Sequence, residues 1–321
     1  MKSTRRAVLL GTSAALLAGP VRAQSLPKQI RLVVPYSPGG GADTTARFLQ
    51  PKLQDVLGVT VVIDNRPGAG GMIGDEVVAK AAPDGATLLM GAFAHAVNPL
   101  IQPKMPFRTP EDFAPISLLV SVPELMVITP SHPAKTVADL VAMAKAQPGK
   151  LFYASSGNGS AQHLAAELFK LRTGTDIGHV PYKGGGLAVG DVAAGHIPFY
   201  FGNMSAALPQ ARAGHVRALA VTSSGRSAAA PDVPTMAEAG VKDCVISEWN
   251  GILAPAGTPQ PIIERLTTEL AKLMRDPELK AKFADLGADA IGSTPAEFAA
   301  FMEAERKKWA EVVKAANIKI E

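Results

Sequence analysis

The sequence predicts an α/β protein built as two lobes, and three observations predict it. The chain has 321 residues, more than one hydrophobic core usually serves. Short β-branched runs alternate with helical segments, the pattern of helices laid on mostly parallel sheets. Four times a strand runs through a Gly-rich turn into a helix, twice in each half. Hydrophobic residues at 47% against 19% charged supply an ample core. The 30 glycines and 26 prolines punctuate regular elements, because apolar periodicity resumes on both sides of the turns.

Residues 1–23 read as a targeting segment. Lys2, Arg5 and Arg6 form a basic start, Ala7 to Gly19 is a short apolar stretch, and Val21-Arg22-Ala23 offers a cleavage site before Gln24. A membrane anchor fits less well, since Gly11, Thr12 and Ser13 interrupt the run and Pro20 stops it. Thr4-Arg5-Arg6-Ala7-Val8-Leu9 also resembles a twin-arginine signal without its usual following basic residue, so two export routes stay open. The segment holds Lys2, Arg5, Arg6 and Arg22 and no acid. Its removal takes the 32 basic residues to 28 against 28 acids, and the charge from +4 to zero. The alkaline balance then gives no reason to expect a nucleic-acid partner. With no second membrane-length segment, the mature protein is expected to be soluble and monomeric. Cys244, the single cysteine, excludes an internal disulfide and reads as a small buried apolar residue.

Taken in order, Ile30 to Pro35 is a strand, followed by a Gly-rich loop and a helix beginning near Asp43. Val59 to Asp64 is a second strand, with a helix to about Ala82 after its turn, and Thr87 to Gly91 is a third. Leu118 to Thr129 is a long extended stretch suited to crossing between lobes. The scheme then repeats. Thr136 and Asp139 have capping-box spacing before a helix to Gln147. Leu151 to Ser155 is a strand whose turn opens a helix through Leu171, and Gly178 to Pro181 leads into another turn and helix. Ile197 to Phe201 and Val216 to Val221 are later strands, and Ile246 to Ala254 is the return crossover. The remainder is helical. Thr294-Pro295-Ala296-Glu297 caps a last helix whose Phe298, Phe301, Trp309 and Val312 recur at helical spacing as core contacts.

The four turns carry the functional argument. They lie at Ser37 to Asp43, Asn65 to Gly71, Ser156 to Ser160 and Tyr182 to Gly186. The first amides of a helix have no internal acceptor and sit at the positive end of its dipole, and glycine lets a ligand approach the main chain. Such a turn suits a carboxylate or phosphate. Any one of them is also a plain tight turn, but four at carboxyl ends of strands, two per half, point to a ligand cleft. No turn has a dinucleotide or P-loop fingerprint, and no hydrolase or metalloprotease motif is present. His95, His132, His163, His179, His196 and His215 show no metal-ligand spacing, so no metal or cofactor is expected, and His163 alone stands beside a loop-helix start. Asp43 suits either a ligand amine or the helix dipole, and Lys183 either a carboxylate or solvent. Tyr36 and Tyr182 flank two of the turns as candidate walls.

An ordered series of motifs resembles the Bug-type, TctC-like receptors of tripartite tricarboxylate transporters. It opens with Ile30 to Asp43 (IRLVVPYSPGGGAD), Asn65 to Gly71 (NRPGAGG) and Ala81 to Gly85 (AAPDG). It continues through Tyr153 to Ser160 (YASSGNGS), His179 to Gly185 (HVPYKGG), Pro231 to Thr235 (PDVPT), Leu253 to Pro259 (LAPAGTP) and Gly292 to Phe298 (GSTPAEF). The resemblance covers essentially all of the mature chain. It implies a periplasmic binding protein of Venus-flytrap, type II-like form with a cleft between lobes and two extended crossovers. The first lobe would hold residues 24–122 and 248–321, and the second 123–247. It further implies a small carboxylate held by backbone amides and ordered water, and delivery to transporter membrane subunits, without catalysis.

Carried over from the family, the binding positions are Tyr36, Ser37, Gly39, Gly40, Gly41, Ala42 and Asp43 on the first lobe. On the second they are Ser155, Ser156, Gly157, Asn158, Ser160, Tyr182, Lys183 and Gly184, with Gly202 and Asn203 added. Many relatives have Phe-Asp-Asn where this chain has Phe201-Gly202-Asn203, and that acid can receive a ligand's amino group. Its loss favours a carboxylate lacking one. Many also have Trp-Phe-Gly where this chain has Trp249-Asn250-Gly251. Two rival functions use the same features: presenting a ligand to a sensor kinase, and hydrolysis by an exported enzyme with one turn as oxyanion hole.

Overall fold

The computed structural model describes residues 26–102, 104–315 and 318. The targeting segment and Gln24 lie outside the described residues. In the first half, β1 (Gln29–Val34), α1 (Gly41–Leu57), β2 (Thr60–Asn65), α2 (Met72–Ala79), β3 (Thr87–Ala92) and α3 (Phe93–Ile101) precede a long strand, β4 (Phe113–Ile128). The second set runs α4 (Val137–Ala146), β5 (Phe152–Ser155), α5 (Ala161–Thr173), β6 (Gly178–Pro181), α6 (Gly185–Ala193), β7 (Phe199–Asn203), α7 (Met204–Arg212) and β8 (Arg217–Val221). The chain returns through β9 (Ser247–Pro255), α8 (Gln260–Leu273), α9 (Pro277–Asp285), β10 (Asp289–Ala290) and α10 (Pro295–Ala315).

The α/β class and the two-lobed architecture follow from the pairing. One set of strands is ordered β2-β1-β3-β9-β4, with β1 parallel to β2 and β3, and β9 antiparallel to β3 and β4. The other is ordered β4-β7-β5-β6, with β5 parallel to both neighbours and β8 on the far side of β4. β4 belongs to both. Its Phe113 to Pro123 pair with β9, and its Glu124 to Ile128 pair with β7.

Two elements differ from expectation for identifiable reasons. β4 begins five residues before Leu118 despite Pro115, because the register with β9 shifts between Pro115 and Ser117, and a bulge tolerates a residue with no N–H to donate. α3 has no local start signal at all. Its N-cap is Ala92, without side-chain capping, and the Phe93 N–H is instead accepted by Glu248 Oε1 at 3.0 Å, from a strand 155 residues away in sequence.

The caps read from sequence form. Thr136 and Asp139 make the reciprocal box of α4, and Thr294 and Glu297 exchange hydrogen bonds ahead of α10. α10 covers the first sheet: Phe298 and Trp309 are fully buried, with Phe298 edge-on to Trp249 at 5.6 Å and Trp309 edge-on to Phe93 at 5.1 Å. Cys244 is buried, and burial pushes its thiol up to about 12.

Candidate functional site

The carboxyl ends of β1, β5, β6 and β7 meet where the two sheets face each other. Gly-rich turns leave β1, β5 and β6, while β7 runs directly into the next helix at Met204, and four helices, α1, α5, α6 and α7, begin there. α5 and α7 cap themselves: Ser160 Oγ accepts the His163 N–H, and Asn203 Oδ1 accepts the Ser205 N–H. α1 and α6 do not. Their N-caps are Gly40 and Gly184, neither with a side chain to offer, so the first amides of both helices face each other across the seam without local acceptors.

The turns are in contact. Ser37 N–H donates to the Lys183 carbonyl at 3.1 Å. A Cβ on Gly40 would stand 3.5 Å from the Gly185 nitrogen and 3.6 Å from that of Gly186. A Cβ on Gly41 would lie 2.3 Å from Asn203 Cγ, and one on Gly70 would lie 2.3 Å from the Asn158 carbonyl oxygen. Glycine at 41 and 70 is therefore what lets the two sides close. Between them remains a cavity of about 20 Å³ lined by Tyr36, Gly40, Gly41, Ala42, Ser156, Gln162, Gly185, Asn203 and Glu248. That volume holds a single water molecule, so a larger guest requires the lobes to stand somewhat further apart.

Buried polar atoms beside this cavity lack partners. Asn203 Nδ2 and Ser37 Oγ make no hydrogen bond, although Asn203 and Ser37 are 4% and 7% exposed. Unpaired donors in a buried site are costly unless something accepts from them. Uncapped amides, a carboxamide N–H and a hydroxyl make a set of donors suited to an anion.

Several residues expected at the site instead shape its turns. The Asp43 carboxylate accepts from Gly39 N at 2.9 Å, Arg47 Nε at 2.8 Å and Asn65 Nδ2 at 3.1 Å. Burial works to raise this carboxyl, but those three bonds outweigh it and hold it below the ordinary range. Asp43 thus ties the first turn to α1 and β2, with no oxygen turned to the cavity-lining set. Ser155 Oγ accepts the Gly157 N–H and lies 2.6 Å from His179 Nε2, and Ser160 Oγ donates to the Gly157 carbonyl at 2.7 Å. His163 Nδ1 accepts the Gly159 N–H, and its ring stacks on His179 at 4.2 Å. Burial lowers His163 to about 4 and His179 to about 3, so both rings are neutral at neutral pH and can accept these bonds.

Of the expected residues, Tyr36, Gly40, Gly41, Ala42, Ser156 and Asn203 line the cavity, and Tyr182, Lys183 and Gly202 are among those that do not. The Tyr182 hydroxyl donates outward to Asp191 at 2.6 Å, and the Lys183 side chain is exposed, so that residue acts here through its carbonyl. At Gly202 a Cβ would stand 2.7 Å from the Tyr200 ring and 2.8 Å from the Ala207 methyl. The Tyr200 ring fills the place a side chain at 202 would take, and its hydroxyl bonds Ser156 Oγ at 2.9 Å.

Sequence reasoning missed Gln162 and Glu248, and held Gly185 only as part of the turn Tyr182 to Gly186. Gln162 Nε2 donates to Glu124 at 2.9 Å and to Glu248 at 3.0 Å, and all three side chains are buried. Burial first, then the neighbouring Glu248, raises Glu124 well above the ordinary carboxylate range, and burial also raises Glu248. A glutamate inside the otherwise apolar run Val122 to Thr129 was the available signal.

The chain matches the tripartite tricarboxylate transporter family receptor, TctC, over residues 45–318. It is 39% identical over 325 residues, spanning 100% of both chains, to protein BugT of Bordetella pertussis. The structure resembles that of Rpa4515 of R. palustris with adipate, at 38% identity and a TM-score of 0.89, over 91% of this chain and 99% of that one. It also resembles MatC of Rhodopseudomonas palustris with bound malate, at 31% identity and a TM-score of 0.86, over 90% and 100%. With a cradle of uncapped helix amides between two lobes and similarity along its whole length, this chain belongs to the TctC family of solute-binding receptors.

Proposed function

We propose that the chain is a periplasmic receptor that closes on a small mono- or dicarboxylate lacking an amino group and delivers it to the membrane subunits of a tripartite tricarboxylate transporter. The observation that carries this reading is the convergence of two uncapped helix starts, one from each lobe, on a buried cavity with free donors from Asn203 and Ser37 beside it. Anions satisfy such donors, and a guest bridging both lobes favours the closed form. The adipate and malate held by two relatives support the ligand class, and the family supports the transporter. No helix of the described residues is long and apolar enough to cross a membrane, as a receptor separate from its transporter requires.

The preference against an amine rests on the acids present. Asp43 is committed to Gly39, Arg47 and Asn65, and Glu248, the acid that lines the cavity, accepts from Phe93 and Gln162 and is pushed toward its neutral form. An ammonium buried there would lose its hydration and meet acids whose oxygens already accept from other donors. Thermal-shift screening tests this, since a guest bound only by the folded protein raises its melting temperature. Succinate, glutarate or adipate should stabilise the protein while their amides and methyl esters do not, and aspartate and glutamate should trail their deaminated analogues. Equal stabilisation by acids and amides would end the anion reading. Mass spectrometry of the guest co-purified from the native compartment identifies the carboxylate.

A further inference from the structure

Below the cavity, Glu124 on β4 and Glu248 on β9 approach the two hydrogens of a single amide, Gln162 Nε2 on α5. Both strands cross between the lobes, so the triad sits at the hinge as well as at the floor of the site. Of the four carboxyl oxygens, three accept a hydrogen bond: Glu248 from Phe93 and Gln162, and Glu124 Oε1 from Gln162. The fourth, Glu124 Oε2, is buried without any donor. Among the described residues, no lysine or arginine acts on either acid. The titratable groups near them are the tyrosines Tyr36 and Tyr200, with Asp75 reaching Tyr36 from α2. His163, next to Gln162 on α5, is held neutral.

Two carboxylates bridged by one amide in a buried, cation-free place cannot both ionise. An anionic guest in a cavity that Glu248 lines would add a third negative charge. We propose that Glu124 and Glu248, bridged by Gln162, are specificity-determining groups that retain one proton between them, so that capture of a carboxylate depends on that proton. Glu124 Oε2 is where the proton rests. With the proton there, the buried pair carries one negative charge beneath the guest instead of two, and both Glu248 oxygens accept N–H bonds, from Phe93 and Gln162. Burial raises the affinity of both acids for protons, in the required direction. Because the protonated pair is the binding-competent form, affinity is full at low pH and falls as pH rises through the upper apparent pKa of the pair.

This inference rests on the anion-receptor reading, and the experiment separates the two. Protein labelled at glutamate Cδ is followed by ¹³C NMR, alone and with adipate, and adipate and malate affinities are measured by calorimetry from about pH 6 to about pH 9. At neutral pH one glutamate resonance should keep the protonated shift and disappear in Glu124→Gln. The wild-type dissociation constant should rise about tenfold per pH unit above the upper pKa. Glu124→Gln keeps an acceptor for Gln162 and fixes a neutral group, so its affinity should not vary with pH. Glu248→Gln serves as the second variant: it removes the neighbouring charge that helps raise Glu124, so its loss of affinity should begin at a different pH from the wild type's. Every glutamate ionised at neutral pH, or an unchanged pH slope in both variants, overturns the shared proton. Failure of adipate, malate and the other linear dicarboxylates to bind counts against the receptor's proposed ligand class, while the NMR result still decides the proton.

Discussion

Replacing Gly186 with alanine should strengthen the receptor's fold and weaken its grip, two effects of opposite sign from one methyl group. Gly186 lies in the first turn of α6 with no positive φ, so alanine there relieves a helix of glycine's conformational freedom and gains about 0.5–1 kcal/mol. For a chain of this size the melting temperature of the open, ligand-free protein should rise by about 1–4 °C. Closure meets a different outcome. The new Cβ would stand 2.4 Å from the Pro38 carbonyl oxygen and 3.2 Å from the Gly39 carbonyl carbon, both main-chain atoms that cannot swing aside. Carbon-to-oxygen contacts of this kind normally sit at about 3.3–3.6 Å, so the first turn must retreat by about 1 Å. That strains the seam and loosens the Ser37 to Lys183 hydrogen bond, a combined loss of about 2–3 kcal/mol. The affinity should fall about 30- to 150-fold. Calorimetry with adipate measures the affinity, and small-angle scattering measures ligand-induced compaction, which the variant should lose at equal ligand concentration. An affinity within twofold of the wild type, with compaction intact, would refute the closed seam as the binding arrangement.

Two further outcomes test how the turns are held. His163 and His179 are depressed by burial below their unfolded value, so the stability they contribute is present above about pH 6.5 and is lost as pH falls through about 4 and about 3. Chemical unfolding should show stability dropping by up to about 1.4 kcal/mol per pH unit per histidine across that window, and His179→Gln should reduce the slope. Asp43→Asn, which cannot accept from Gly39, Arg47 and Asn65 together as a carboxylate does, should cost about 1–3 kcal/mol of stability and at least tenfold in affinity, read by denaturant melts and calorimetry.

What could be read from sequence and what could not follows from the range of the interactions. The strands and the glycine turns were legible because β-branched runs, capping pairs and Gly clusters act within a few residues, as at Thr136 with Asp139. The cradle was legible for the same reason: Gly39 to Gly41 and Gly184 to Gly186 announce main chain that must be approached closely. α3 was not, because its cap is supplied by Glu248 from a distant strand. The Glu124–Gln162–Glu248 triad was not, since it exists only where β4, α5 and β9 are brought together. What Gly202 meets was not legible either, because Tyr200, two residues before it on the same face of β7, fills the adjoining space, and period-two alternation does not say which ring fills a gap. Lys183 was read for its charge, whereas its carbonyl makes the contact.

A cradle written in main-chain amides has a consequence for anyone who wants to retune it. Alanine scanning removes side chains, so at Gly40, Gly41 and Gly185 it can only add atoms, and it will report obstruction where the native contribution is an N–H. Such a scan would rank the turns as intolerant and still miss what they contribute. Useful variation lies one layer down, at Tyr36, Gln162 and Glu248, whose side chains line the same cavity. Those three positions offer a handle for redirecting the receptor to a new guest while the turns proposed to hold the carboxylate stay as they are.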